Sequence, residues 1–130
     1  MKLTRKADST SDHYDHVIIP VGDEFLVAAG GAETNSVSNS CELYEISTNQ
    51  WKPLPQLNIA RRCHTGCVVG KNTIYLFGGM KAEWAVINEI EWLDLQGDQQ
   101  WKVIRPDNSF SPRHWCTVLN IGSSVMIFGG

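Results

Sequence analysis

Residues 62–79 read RCHTGCVVGKNTIYLFGG: an apolar run, a turn at Gly70, a second apolar run, and a closing pair, Gly78-Gly79. The same frame occurs twice more, as YDHVIIPVGDEFLVAAGG over residues 14–31 and RHWCTVLNIGSSVMIFGG over residues 113–130. The glycine pairs Gly30-Gly31, Gly78-Gly79 and Gly129-Gly130 are spaced by 48 and 51 residues, and Gly22, Gly70 and Gly122 precede them by 8, 8 and 7. Superimposed without a gap, the three stretches carry His16, His64 and Trp115 at their third position. A fixed period of this length marks a repeat architecture, in which each unit buries its apolar faces against its neighbours.

The stretch after each pair repeats as well. Tyr44 and Trp92 lie 13 residues beyond Gly31 and Gly79, and Trp51 and Trp101 follow them after 7 and 9 residues. Each full unit therefore reads as four short strands, A to D. Strands A and B are apolar runs of 5–8 residues closed by glycine, too short for buried helices, and both of their faces are expected to be buried. Strand C carries Glu42, Glu45, Glu89, Glu91 and Asp94 and is expected nearer to solvent. Ser47-Thr48-Asn49 and Gly97-Asp98 supply the turn chemistry for hairpins between C and D. Apolar inner strands and mixed outer ones are what a propeller blade requires. The expected fold is all-β: a partial, open β-propeller of four-stranded antiparallel blades. Its divisions are a polar N-terminal tail at 1–13, units at 14–55 and 62–105, and an incomplete third unit at 113–130 with strands A and B only.

The pattern IYLFGG, then Tyr44 or Trp92, then Trp51 or Trp101, resembles the kelch repeat. The connector WKPLPQLNIARRCH is similar to that family's passage between blades, with Trp51, Pro55, Arg62 and His64 at matching places. The likeness covers residues 14–130; Tyr14 replaces the usual arginine and Ala28-Ala29 the usual bulky pair. No Trp-Asp dipeptide occurs, which sets the chain apart from WD40 propellers. Closed propellers have four to eight blades. About two and a half units therefore suggest a segment of a longer propeller; the alternative is a short product that closes a ring by self-association, its blade faces being unpaired.

A net charge of −3 offers no reason to expect nucleic acid or an anionic membrane as partner. No run approaches 18 apolar residues, and the start MKLTRKADSTSDHYDH lacks an apolar segment behind its charges, so the expected location is the cytoplasm, with the nucleus as alternative. Cys41, Cys63, Cys67 and Cys116 sit inside apolar segments and read as free thiols. Asp12, His13, Asp15 and His16 resemble a loose metal cluster, but His16 shares its repeat position with residues that include a tryptophan, which favours packing. On a strand Cys63 and Cys67 point to one face and His64 to the other, which opposes a zinc site or a Cys-His nucleophile. No cofactor and no enzymatic activity are expected.

The remaining candidate is a binding face. The resemblance implies a protein-interaction module, with substrate-adaptor-like recognition of another protein or peptide. A structural or actin-associated scaffold is the alternative, and a segment of a propeller oxidase or epimerase a further one. By position, the resemblance places Arg62, His64, Arg113, Trp115 and His16 at the start of strand A. Glu33, Asn35, Ser36, Lys81, Glu83 and Trp84 fall in the loops between strands B and C. The competing use of Arg62 and Arg113 is hydrogen bonding between blades; Trp84 reads equally as an exposed anchor or as loop packing.

Overall fold

The computed structural model describes residues 5–9 and 14–130. Strands β1 (Val17–Val21) and β2 (Phe25–Ala29) pair as a hairpin; β3 (Ala32–Glu33) and β4 (Ser36–Val37) make a small ribbon above it. Then β5 (Cys41–Glu45) and β6 (Gln50–Pro53) complete an antiparallel sheet of order β1-β2-β5-β6. The second sheet repeats this with β7 (Thr65–Val69), β8 (Thr73–Phe77), β9 (Ile90–Asp94) and β10 (Lys102–Ile104). A third hairpin pairs β11 (Cys116–Ile121) with β12 (Ser124–Gly129). Strand β1 lies beside β7 and β7 beside β11, so the first strand of each unit faces the others. This is an open, partial propeller; among the described residues the only helical element is a 3-10 turn at Ala82–Trp84.

The core lies between the first two blades. Ile19, Val21, Val27, Ala29 and Cys41 of the first meet Ile74, Leu76, Leu93 and Trp101 of the second, all but inaccessible to water. Gly30 shows why the closing glycines are required there. At φ +62 a Cβ would lie 2.5 Å from the Arg61 carbonyl and 2.7 Å from the His64 ring, and the next residue, Gly31, donates its N–H to that carbonyl at 2.8 Å.

The register corrects the ungapped superposition twice. Residues 22–24 and 70–72 close the first two hairpins, but only residues 122–123 close the third. Everything upstream of that shorter turn shifts by one, so Trp115 matches Cys63 and Asp15, and Cys116 matches His64 and His16. The backbone marks this: Asp15, Cys63 and Trp115 have φ 57, 53 and 50, and Trp115 N–H bonds Cys63 O as Cys63 N–H bonds Asp15 O. In strand C, Tyr44 pairs with Leu26 and Leu93 with Ile74, while Trp92 pairs with Tyr75. Tyr44 therefore corresponds to buried Leu93, and Trp92 to Leu43. The match of Trp51 with Trp101 stands: their indoles donate to the carbonyls of Ala7 and Pro55, residues 48 apart.

Two burial expectations also change. Strand C is not the solvent-facing strand: Glu42 is 6% exposed and Glu91 is fully buried. Strands A and B are not covered on both faces throughout. Ile18 is exposed on the first blade, and in the third hairpin Leu119, Ile121, Met126 and Phe128 are all exposed, because no neighbouring sheet packs on those faces.

Glu91 is buried because Arg61 meets it. The guanidinium donates to Glu91 Oε2 at 3.1 Å and to the carbonyls of Gly78 and Glu89 at 2.9 Å; the other oxygen, Glu91 Oε1, takes the Asn58 N–H at 2.7 Å. Arg61 N–H donates to Ser38 O in the first blade. One connector residue thus ties two blades together through buried, charge-assisted bonds, with its Nε left without a partner. Burial drags the Arg61 guanidinium below its usual range, and the charges of Glu91 and Glu89 offset this in part.

Candidate functional site: the loop face over the first two blades

Tyr14 and Arg62 hold the same repeat position at the entry to strand A. Each is bridged to the residue beyond the glycine pair, Tyr14 to Ala32 and Arg62 to Met80. Met80 also bridges Val86, so the loop between β8 and β9 is pinned at both ends. Between them the chain makes its 3-10 turn, in which Glu83 and Trp84 adopt φ 59 and 63. Two successive side-chain-bearing residues in the left-handed region are costly. Bonds from Lys81 N–H to Ala85 O and from Ala85 N–H to Ala82 O close the turn and hold them there. The result projects Trp84 outward, 70% exposed.

The Arg62 guanidinium lies 4.4 Å from the centre of the Trp84 ring, a cation–π contact. Its Nε is buried and without a hydrogen-bond partner. Beside it is a cleft of about 190 Å³ lined by Tyr14, Glu33, Asn35, Ser36, Arg62 and Glu83. Tyr14 Oη donates to Glu33 O at 3.2 Å and Ser36 Oγ to Glu33 Oε2 at 3.3 Å, which shapes the opposite wall. The cleft adjoins a shallower groove of about 550 Å³ running past Asn35 and Ser36 to Asn58, Ala60 and Lys81. The groove crosses from one blade to the next.

The other residues singled out in the sequence do not join this cluster as one set. His64 is buried against Gly30, and burial, with the Arg61 charge, pulls it down to about 3; it is a neutral junction residue. Arg113 corresponds to Arg61, since each donates to the first glycine of its pair, Gly129 and Gly78. Its guanidinium otherwise bonds Ser111, while its backbone N–H donates to Ile87 O and its carbonyl accepts from Gly79 N–H of the second blade. Trp115 is 70% exposed at the inner edge, with the His114 ring 5.6 Å from it. His16 is exposed and, with Asp8, Ile18, Glu42 and Trp51, lines a cavity of about 480 Å³ on the open face of the first blade. Asp12 and His13 of the loose cluster lie outside the described residues.

All four cysteines are free. Burial, then the neighbouring Glu42 charge, pushes the Cys41 thiol up to about 12, and burial raises the other three. None is poised as a nucleophile. Arg61 and Glu91 escaped the sequence reading; the Arg61-Arg62 doublet was the available signal, once one residue is deleted from the third turn.

The family model described as the KLHDC2/KLHL20/DRC7 Kelch-repeats domain matches residues 1–130. Kelch domain-containing protein 1 of Homo sapiens is 30% identical over 97 residues, covering 72% of this chain and 24% of the human protein. Kelch domain-containing protein 3 of Bos taurus is 26% identical over 122 residues, 90% of this chain and 31% of that protein. Kelch repeat and BTB domain-containing protein 2 of cowpox virus (strain GRI-90 / Grishak) is 27% identical over 113 residues, 80% of this chain and 20% of that protein. The chain thus spans between a fifth and a third of the length of these relatives.

Proposed function

Since the chain belongs to the Kelch-repeat family, we propose that it is a protein-interaction module whose recognition surface is the loop face bearing Arg62 and Trp84. The observation that carries this is the exposed Trp84 ring, held by two left-handed residues and backed by the Arg62 guanidinium. Tryptophan and arginine are the side chains that most often dominate binding energy, and backbone strain at an exposed anchor has a use only if the anchor meets something. The adjoining groove past Asn35, Ser36 and Lys81, lined by polar and apolar residues alike, offers room for a peptide segment.

One relative's name pairs kelch repeats with a BTB domain. On that pattern the present segment is the recognising part of a larger assembly, substrate-adaptor-like, acting by binding and not by catalysis. No helix among the described residues is long and apolar enough to cross a membrane, and we place the activity in the cytoplasm or nucleus.

Proximity labelling around the intact protein, followed by direct titration with the partner recovered, tests this reading. Trp84→Ala and Arg62→Ala are expected to weaken binding on the order of 10- to 100-fold with unchanged melting temperature. Equal affinity for wild type and both variants would exclude the loop face as the recognition surface.

A further inference from the structure

A second feature lies at the inner edge, on residues the loop-face reading does not use. Asp15, Cys63 and Trp115 occupy one repeat position in three successive units, each with a left-handed backbone. Cys63 N–H donates to Asp15 O at 3.0 Å and Trp115 N–H to Cys63 O at 2.8 Å, so the three are laddered side by side where the first strands converge. Cys63 is thus the middle rung, buried between Asp15 on one side and Trp115 on the other. Asp15 and Trp115 therefore flank a single buried residue, and both remain open to solvent.

The other tryptophans of similar setting show what is absent. Trp84 carries the Arg62 guanidinium over its ring at 4.4 Å, and Trp92 carries the Lys102 ammonium at 4.6 Å. Among the described residues no cation of the chain lies over Trp115, although the residue is 70% exposed and Asp15 stands in the same ladder, one rung beyond Cys63. An aromatic face next to a carboxylate is suited to a basic side chain: the ring attracts the cation through its quadrupole while the carboxylate pairs its charge. Left-handed geometry at three consecutive positions keeps the pair rigid, which lowers the ordering cost of binding.

We infer that Asp15 and Trp115 form a receptor for a lysine or arginine side chain presented by a partner at the inner edge of the propeller. The cation sits over the Trp115 ring and pairs with Asp15, while Cys63 fixes the spacing between them. This subsite is independent of the Arg62–Trp84 surface, and either can fail without the other.

The test is a titration of the full chain, uniformly labelled with nitrogen-15, with the capped pentapeptide Gly-Ser-Lys-Ser-Gly. A second titration uses the same peptide with its lysine acetylated. Saturating shifts of the Trp115 indole N–H and of the Cys63 amide are expected at millimolar peptide, at least about fivefold weaker with the acetylated probe. Asp15→Asn keeps a residue that tolerates the left-handed backbone, so its fold is retained, and it is expected to reduce the affinity for the lysine probe to that for the acetylated one. Trp115→Ala is expected to abolish the Cys63 shift. The inference is overturned if both probes shift Trp115 equally, if Asp15→Asn binds the lysine peptide as wild type does, or if shifts appear only elsewhere.

Discussion

Ile19, Val21, Val27 and Ala29 are 2%, 4%, 0% and 1% exposed, whereas Leu119, Ile121, Met126 and Phe128, their counterparts in the third hairpin, are 48%, 57%, 45% and 54% exposed. The two sets occupy the same strands, the same face and the same distances from the turn. The first set meets the second blade; nothing packs on the other. In a repeat, side chains determine which face is apolar, but burial is supplied by the neighbour, so identical patterns carry very different energies. The junction between the first two blades and the third hairpin therefore form an internal control for each other.

Arg61 and Arg113 offer the largest contrast. Arg61 is fully buried with Glu91, and removing one partner leaves an uncompensated buried charge. Arg61→Ala is expected to destabilise the fold by about 3–5 kcal/mol. Arg113→Ala, at the same repeat position but only half-buried and bonded to Gly129 O and Ser111, is expected to cost about 1 kcal/mol or less. Urea denaturation of both variants decides it. Similar losses would mean that the third hairpin is as tightly assembled as the first junction.

Ile19→Ala and Leu119→Ala probe the apolar faces in the same way. Ile19 is packed into the interblade core and its truncation should cost about 2–5 kcal/mol. Leu119 at 48% exposure should change stability by about 0.5 kcal/mol or less. If Leu119→Ala proved equally damaging in thermal melts, that face would be covered in solution, and the concentration dependence of the melting temperature would reveal whether another copy covers it.

Much of this architecture was legible from the glycine pairs and the Trp51–Trp101 match, because turn geometry and strand length constrain residue type locally. The slips arose where a loop changed length. One residue fewer after Gly122 moved Trp115 off the His64 position, and one more between Met80 and Ile90 moved Trp92 off the Tyr44 position. Spacing from a distant landmark does not register such changes; hydrogen-bond pairing does. The buried Arg61–Glu91 pair was hidden for a different reason: its partners are 30 residues apart, and charged side chains in strand C look like solvent-facing ones until a connector is laid across them. The exposure of Trp84 was left open for want of backbone angles, since only the left-handed pair Glu83-Trp84 turns the ring outward.

The mildest expected effect falls on His64, buried at the junction where His16, at the same repeat position, is exposed on the open face. His64 is held neutral, its pKa pulled down to about 3 by burial and by the Arg61 charge. In the unfolded chain it titrates near the ordinary value of about 6.5. As pH falls below that value the unfolded state takes up a proton that the folded state refuses until about pH 3, so folding stability decreases across this window. Between pH 7 and pH 5 the loss from this one residue should reach about 2 kcal/mol. His64→Gln should flatten the dependence of the unfolding free energy on pH over that interval, whatever it does to the absolute stability. A flat profile for the wild type, or a slope that His64→Gln leaves unchanged, would show that the first junction opens to water and is packed less tightly than its burial indicates.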